Sequence, residues 1–175
     1  MKTPSLNYIT SRAIRDLAIL AGLALLMPLT AKTAELATFT ANNTTISVTG
    51  SDSISTAAYT VGGTGFSGTS LQISGGGLLT QTGASLAFNV GVSGQTGNSF
   101  SVNGSTFTAS NSTFSMVGTG STMTVSNGGS VTAGNNGAQL NTGSAVTITG
   151  INSKWTVGGI NINSGNSNSV SVLAG

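Results

Sequence analysis

The chain of 175 residues has no Cys, no His and almost no charge. Charged residues make up 5%, against roughly 25% in ordinary soluble domains. Each absence excludes a class of chemistry. Without Cys there is no disulfide framework, no thiolate nucleophile and no acceptor for a lipid. Without His, and with only Glu35 and Asp52 as acids beyond residue 16, neither a zinc site nor a multi-carboxylate calcium site can be assembled. General acid–base catalysis needs a titratable group beside the reacting atom, and past Asp52 the only charged side chain is Lys154. The sequence therefore predicts no enzyme, no catalytic, cofactor-binding or metal site, and no cofactor. Proline is also scarce: Pro4 and Pro28 both lie near the N-terminus. A proline-free remainder suits strands whose every N–H is needed in a ladder.

The first residues have the order of a secretory signal peptide. Lys2, Arg12 and Arg15 precede an uncharged apolar run, Leu17 to Met27, which Pro28 breaks ahead of small residues. Eleven helical residues span about 16 Å, too little for a hydrocarbon core of roughly 30 Å. The run is read as a cleaved leader, residues 1–31, with the cut after Ala31 and a second choice after Ala34. The calculated pI of 9.4 then misleads. After a cut at Ala31, Lys32 and Lys154 balance Glu35 and Asp52. No basic patch remains for phosphates, so nucleic acid is not an expected partner. No membrane span is expected in the mature chain.

What is present is glycine, 26 residues of it, among short alternating segments rich in Ser, Thr and Asn. Ile46-Ser-Val48, Leu71-Gln-Ile73, Phe100-Ser-Val102, Met123-Thr-Val125, Val146-Thr-Ile148 and Val170-Ser-Val172 recur with steps of 25, 29, 23, 23 and 24 between their second apolar residues. Further alternating segments lie between them, at 86–92, 107–109, 114–116, 155–157 and 160–162. Gly62-Gly63, Gly75-Gly76-Gly77, Asn127-Gly128-Gly129, Asn135-Asn136-Gly137 and Gly158-Gly159 interrupt the segments with residues that tolerate positive φ. Period-2 alternation predicts strands with one face buried, and the near-constant step predicts one coil per repeat. The reading is all-β: a right-handed parallel β-helix of about five to six turns of 23–24 residues. Residues 32–50 are read as an N-terminal cap and first strand, and 51–175 as solenoid repeats. The long step between Ile73 and Val102 predicts a loop insertion near Val92–Asn98. An antiparallel sandwich is the runner-up, since it too is built of short strands and glycine turns, and disorder comes third.

Residues 148–162, Ile-Thr-Gly-Ile-Asn-Ser-Lys-Trp-Thr-Val-Gly-Gly-Ile-Asn-Ile, resemble the repeat of autotransporter passengers and of PEP-CTERM-associated surface proteins. Gly118–Val125, with Met123 in the place of Trp155, resembles a fainter copy, and the likeness extends over roughly residues 70–175. The resemblance implies a β-helix displayed outside the cell, in adhesion or surface structure. The sequence departs from it in having no autotransporter barrel and no Pro-Glu-Pro sorting tail, and it stops within a repeat. The chain is accordingly read as an N-terminal fragment, or a truncated frame, of a longer surface protein.

The functional expectation is an exported, non-enzymatic stalk or adhesin at the cell surface or outside the cell. The alternative is a self-assembling extracellular matrix or amyloid-like biofilm protein. Expected partners are surface glycans, other cell-surface proteins, or further copies of the chain. Trp155, the only Trp, is weighed as a sugar platform and read as a repeat residue packing on the adjacent turn; Lys154 is read as a solvated outward residue. Glu35 and Asp52 are read as unpaired surface charges near the N-terminal cap, although a glycosidase would need such a pair. Thr106/Thr108, Thr122/Thr124 and Thr147/Thr149 are read as ordinary strand threonines that share no column. The sequons at Asn42, Asn103 and Asn111 matter only in a glycosylating host.

Overall fold

The computed structural model describes residues 34–56, 58–82, 86–163 and 167–173. The leader lies outside them. The described residues contain strands and turns and no helix.

After β1 (Ala34–Glu35) the chain winds in coils of three strands each. The first is β2 (Thr45–Val48), β3 (Ser51–Ile54) and β4 (Ala58–Val61). The second is β5 (Ser70–Ile73), β6 (Leu78–Gln81) and β7 (Leu86–Val90). The third is β8 (Ser99–Asn103), β9 (Thr106–Ala109) and β10 (Ser112–Met116). The fourth is β11 (Thr122–Ser126), β12 (Ser130–Ala133) and β13 (Ala138–Leu140). The fifth is β14 (Ala145–Thr149), β15 (Lys154–Thr156) and β16 (Ile160–Ile162), followed by β17 (Ser169–Leu173).

Each strand pairs in parallel with its counterpart one coil away. The result is three parallel sheets: β2-β5-β8-β11-β14-β17, β1-β3-β6-β9-β12-β15 and β4-β7-β10-β13-β16. This is a parallel β-solenoid of about five turns. Adjacent coils in such a stack lie about 4.8 Å apart.

The six recurring apolar segments are the six strands of the first sheet. Val48 pairs with Ile73, Ile73 with Val102, Val102 with Val125, Val125 with Ile148 and Ile148 with Val172. The Ile46–Leu71–Phe100–Met123–Val146–Val170 column runs beside it in the same register. The second sheet supplies Leu79, Phe107 and Val131 to the interior, and the third supplies Tyr59, Phe88, Phe114 and Ala138. At the centre Phe88, Phe100 and Phe107, one from each sheet, meet with ring centroids 4.6 to 5.2 Å apart. Such contacts add about 0.5–1.5 kcal/mol per pair beyond burial.

The corners explain the uneven repeat. Relative to the following coil, the 29-residue step has one extra residue between Ile73 and Leu79, two between Leu79 and Phe88, and three between Phe88 and Phe100. The expected insertion at Val92–Asn98 is thus half of the added length, and the rest is shared by the other two corners. Sharp corners are held by glycine where backbones meet: a Cβ on Gly129 would sit 2.4 Å from the Val102 carbonyl oxygen of the preceding coil.

Candidate functional site: the outer polar columns

Register fixes the outside of the solenoid as firmly as the inside, because side chains alternate across a strand. On the first sheet Ser47, Gln72, Ser101, Thr124, Thr147 and Ser171 form one outward column. On the second, Ser53, Thr80, Thr108, Thr132 and Thr156 do so, four threonines in succession. On the third, Thr60, Asn89, Ser115, Gln139 and Asn161 complete the set. Each face thus presents a row of hydroxyls or amides at the coil spacing; the one charge in these rows is Glu35, which stands opposite Ser53 at the end of the second.

The threonine pairs sit differently from their expected arrangement. Thr124 lies directly opposite Thr147 and shares its column, while Thr122 faces Ala145 and Thr149 faces Ser126. Pairs 25 residues apart on coils 23 residues apart are offset by two positions, so one member of each still stacks. Thr106 and Thr108 lie on the second sheet.

Trp155 is half-buried and stands in register with Val131. Its ring meets Phe114 edge-on with centroids 5.4 Å apart, and its indole N–H donates to the Ala133 carbonyl at 3.3 Å. It packs on the preceding coil rather than lying open as a flat platform. Lys154 next to it is exposed and paired in register with Ser130.

The two acids lie on adjacent strands. Glu35 is opposite Ser53, and Asp52 is opposite Ala34 on one side and Leu79 on the other. Being one position out of step, Glu35 and Asp52 point to opposite faces of the sheet. The Glu35 carboxylate accepts the Ser55 N–H at 2.8 Å, and half-buried Asp52 takes the inward position ahead of Leu79. The arrangement does not present two carboxylates to one substrate.

Of the sequon residues, Asn42, Asn103 and Asn111 are all exposed. Asn42 accepts the Ser67 N–H at 2.9 Å, and Asn103 accepts from the Asn127 amide at 2.8 Å.

A second ladder escaped the sequence reading. Thr69, Asn98, Ser121, Ser144 and Asn168 each stand immediately before a first-sheet strand. The first four are fully buried. Ser121 Oγ donates to the Val90 carbonyl at 3.0 Å and Ser144 Oγ to that of Met116 at 3.4 Å, while Asn168 accepts the Ser144 N–H at 2.9 Å. Where the corners are longer, Asn98 accepts both Thr69 donors at 2.9 and 3.0 Å and donates to Gln95 at 2.9 Å. Gln95 donates in turn to the Gly63 carbonyl at 3.1 Å. The signal was available: these polar residues recur with the same steps as the apolar ones. They satisfy corner groups that would otherwise be buried unpaired.

No protein-family model, no curated protein and no solved structure matches the chain. Among the described residues no group of three or more acids, Cys or His could hold a metal ion, and no helix is long and apolar enough to cross a membrane.

Proposed function

We propose that the chain is an exported, non-enzymatic β-solenoid displayed at the cell surface as a stalk or adhesive passenger. The observation that carries this reading is the set of three columns of hydroxyls and amides on three faces of one stack, with Glu35 at the end of one as their single charge. They suit many weak polar contacts along a rod better than chemistry at one point. Residues 1–31 support the same reading through their leader pattern. A cut after Ala31 leaves β1 whole, whereas a cut after Ala34 divides its two residues. A repeat stack also suits export, since coils can add one at a time as chain emerges.

The test is expression of the full chain in a bacterial host, with N-terminal sequencing of the product and protease treatment of intact cells. The expected product begins at Lys32 and is reached by the protease. A leader-intact chain retained inside the cell contradicts the proposal.

A second reading, self-association, is supported by one observation. Ile160, Ile162, Val172 and Leu173 are exposed on β16 and β17, at 42, 52, 73 and 54%, and Ile160, Ile162 and Val172 stand in register with core columns. A further copy adding strands there would bury them. Sedimentation velocity that is invariant with concentration contradicts this reading; growth of larger species with concentration supports it.

A further inference from the structure

On the third sheet one outward column changes character along the stack. It begins with Ala58 and Ala87 and continues with Thr113. In the next two coils the same position, just ahead of Ala138 and Ile160, is held by Gly137 and Gly159. Two consecutive coils without a side chain leave a trough floored by bare backbone, an open cleft of about 360 Å³. That size falls within the roughly 300–1,000 Å³ of small-molecule sites.

The two glycines differ in what requires them. Gly137 has φ +104°, which side chains rarely adopt. Gly159 has no such φ, and a Cβ built there meets nothing within 4 Å. Neither backbone conformation nor packing demands glycine at 159. What its bare Cα does is leave the trough open.

The walls are amides and a hydroxyl. Gln139 and Asn161 stack in register along one side, and Thr113 stands at the end of the trough. Asn136 lies at the corner, its Nδ2 donating to the Asn111 carbonyl of the neighbouring coil at 3.1 Å, which fixes the amide. None of the lining groups is charged. A carboxamide offers a donor and an acceptor side by side, the complement of neighbouring hydroxyls on a ring.

We propose that this cleft binds a neutral saccharide, with Gln139 and Asn161 contacting ring hydroxyls and Gly159 keeping the floor open. The proposal deepens the adhesive reading by naming a ligand class and a place, and binding is measured separately from export, so either can fail alone.

The test is titration of the isotopically labelled full chain with cellohexaose and, separately, chitohexaose, followed by NMR. The expected result is saturable shifts at backbone amides of 136–139 and 159–161 with at least one sugar. Gly159→Leu should weaken binding at least tenfold with an unchanged melting temperature, and Gln139→Ala severalfold. Three results overturn the proposal: no saturation by either sugar up to about 10 mM, shifts centred elsewhere, or undiminished binding by Gly159→Leu. Shifts that depend on protein concentration without sugar would place a second copy in the trough and equally overturn it.

Discussion

Thr124 and Val125 are neighbours in the chain and opposites in surroundings. Val125 is fully buried between Val102 and Ile148, while Thr124 stands outward between Ser101 and Thr147. Val125→Asp places an unpaired carboxylate in a dry stack and should cost about 4 kcal/mol or more. Thr124→Asp should change stability by less than about 1 kcal/mol. Thermal melts followed by circular dichroism decide this, and equal effects would contradict the assignment of inside and outside. Tyr59 gives a pH-dependent counterpart. Its ring stacks on Phe88, its hydroxyl donates to the Ala37 carbonyl at 2.8 Å, and burial raises its phenol well above the ordinary value of 10.0. In the unfolded chain the phenol ionises near the ordinary value; in the fold it stays neutral. Its contribution to stability is therefore complete below about pH 10 and is lost as pH rises toward the folded value. Tyr59→Phe should melt with a flatter alkaline limb between about pH 10 and 12, at the expense of about 1 kcal/mol at neutral pH.

At the scale of elements, coils are joined both by sheets and by corners. Asn98 ties the corner before β8 to Thr69 of the previous coil and to Gln95 of its own. Asn98→Ala leaves several buried groups unpaired and should destabilise by about 3 kcal/mol, whereas Ser121→Ala, one coil on, removes one bond and should cost about 1 kcal/mol. Chemical denaturation measures both, and a smaller effect at 98 than at 121 would contradict the network. Legibility in the sequence followed the sharpness of alternation. The first-sheet strands were readable because each carries two large apolar residues flanking a hydroxyl or amide, as in Phe100-Ser-Val102. β3, β4, β6, β12 and β13 were missed. Ser-Asp-Ser-Ile and Ser-Val-Thr-Ala each carry one large apolar residue, Leu-Leu-Thr-Gln does not alternate cleanly, and glycine turns stand beside β6, β12 and β13. They are strands because neighbouring coils supply their ladder, a condition no local window contains. The cleft was illegible for the same reason: Thr113, Gly137 and Gly159 become one column only once register is known.

For the whole molecule, the solenoid divides its labour by direction. Columns running along the axis make a dry interior; the same register, read outward, makes rows of hydroxyls and amides with Glu35 and Lys154 as their charges. Among the described residues the charged side chains are Glu35, Asp52 and Lys154. The outer surface then offers hydroxyls, amides and shape, and stability comes from the sum of coil-to-coil contacts. Both rest on one claim: residues of the first sheet one repeat apart lie directly above one another. The outward column from Ser47 to Ser171 tests it most directly, since the chain has no native Cys to compete with introduced labels. Spin labels placed at Ser47 together with Thr124, Thr147 or Ser171 should give pulsed electron–electron distances rising in equal steps, near 14, 19 and 24 Å at about 4.8 Å per coil. Distances that fail to rise in this order, or that vary without a constant step, would contradict the stack and the outer faces derived from it.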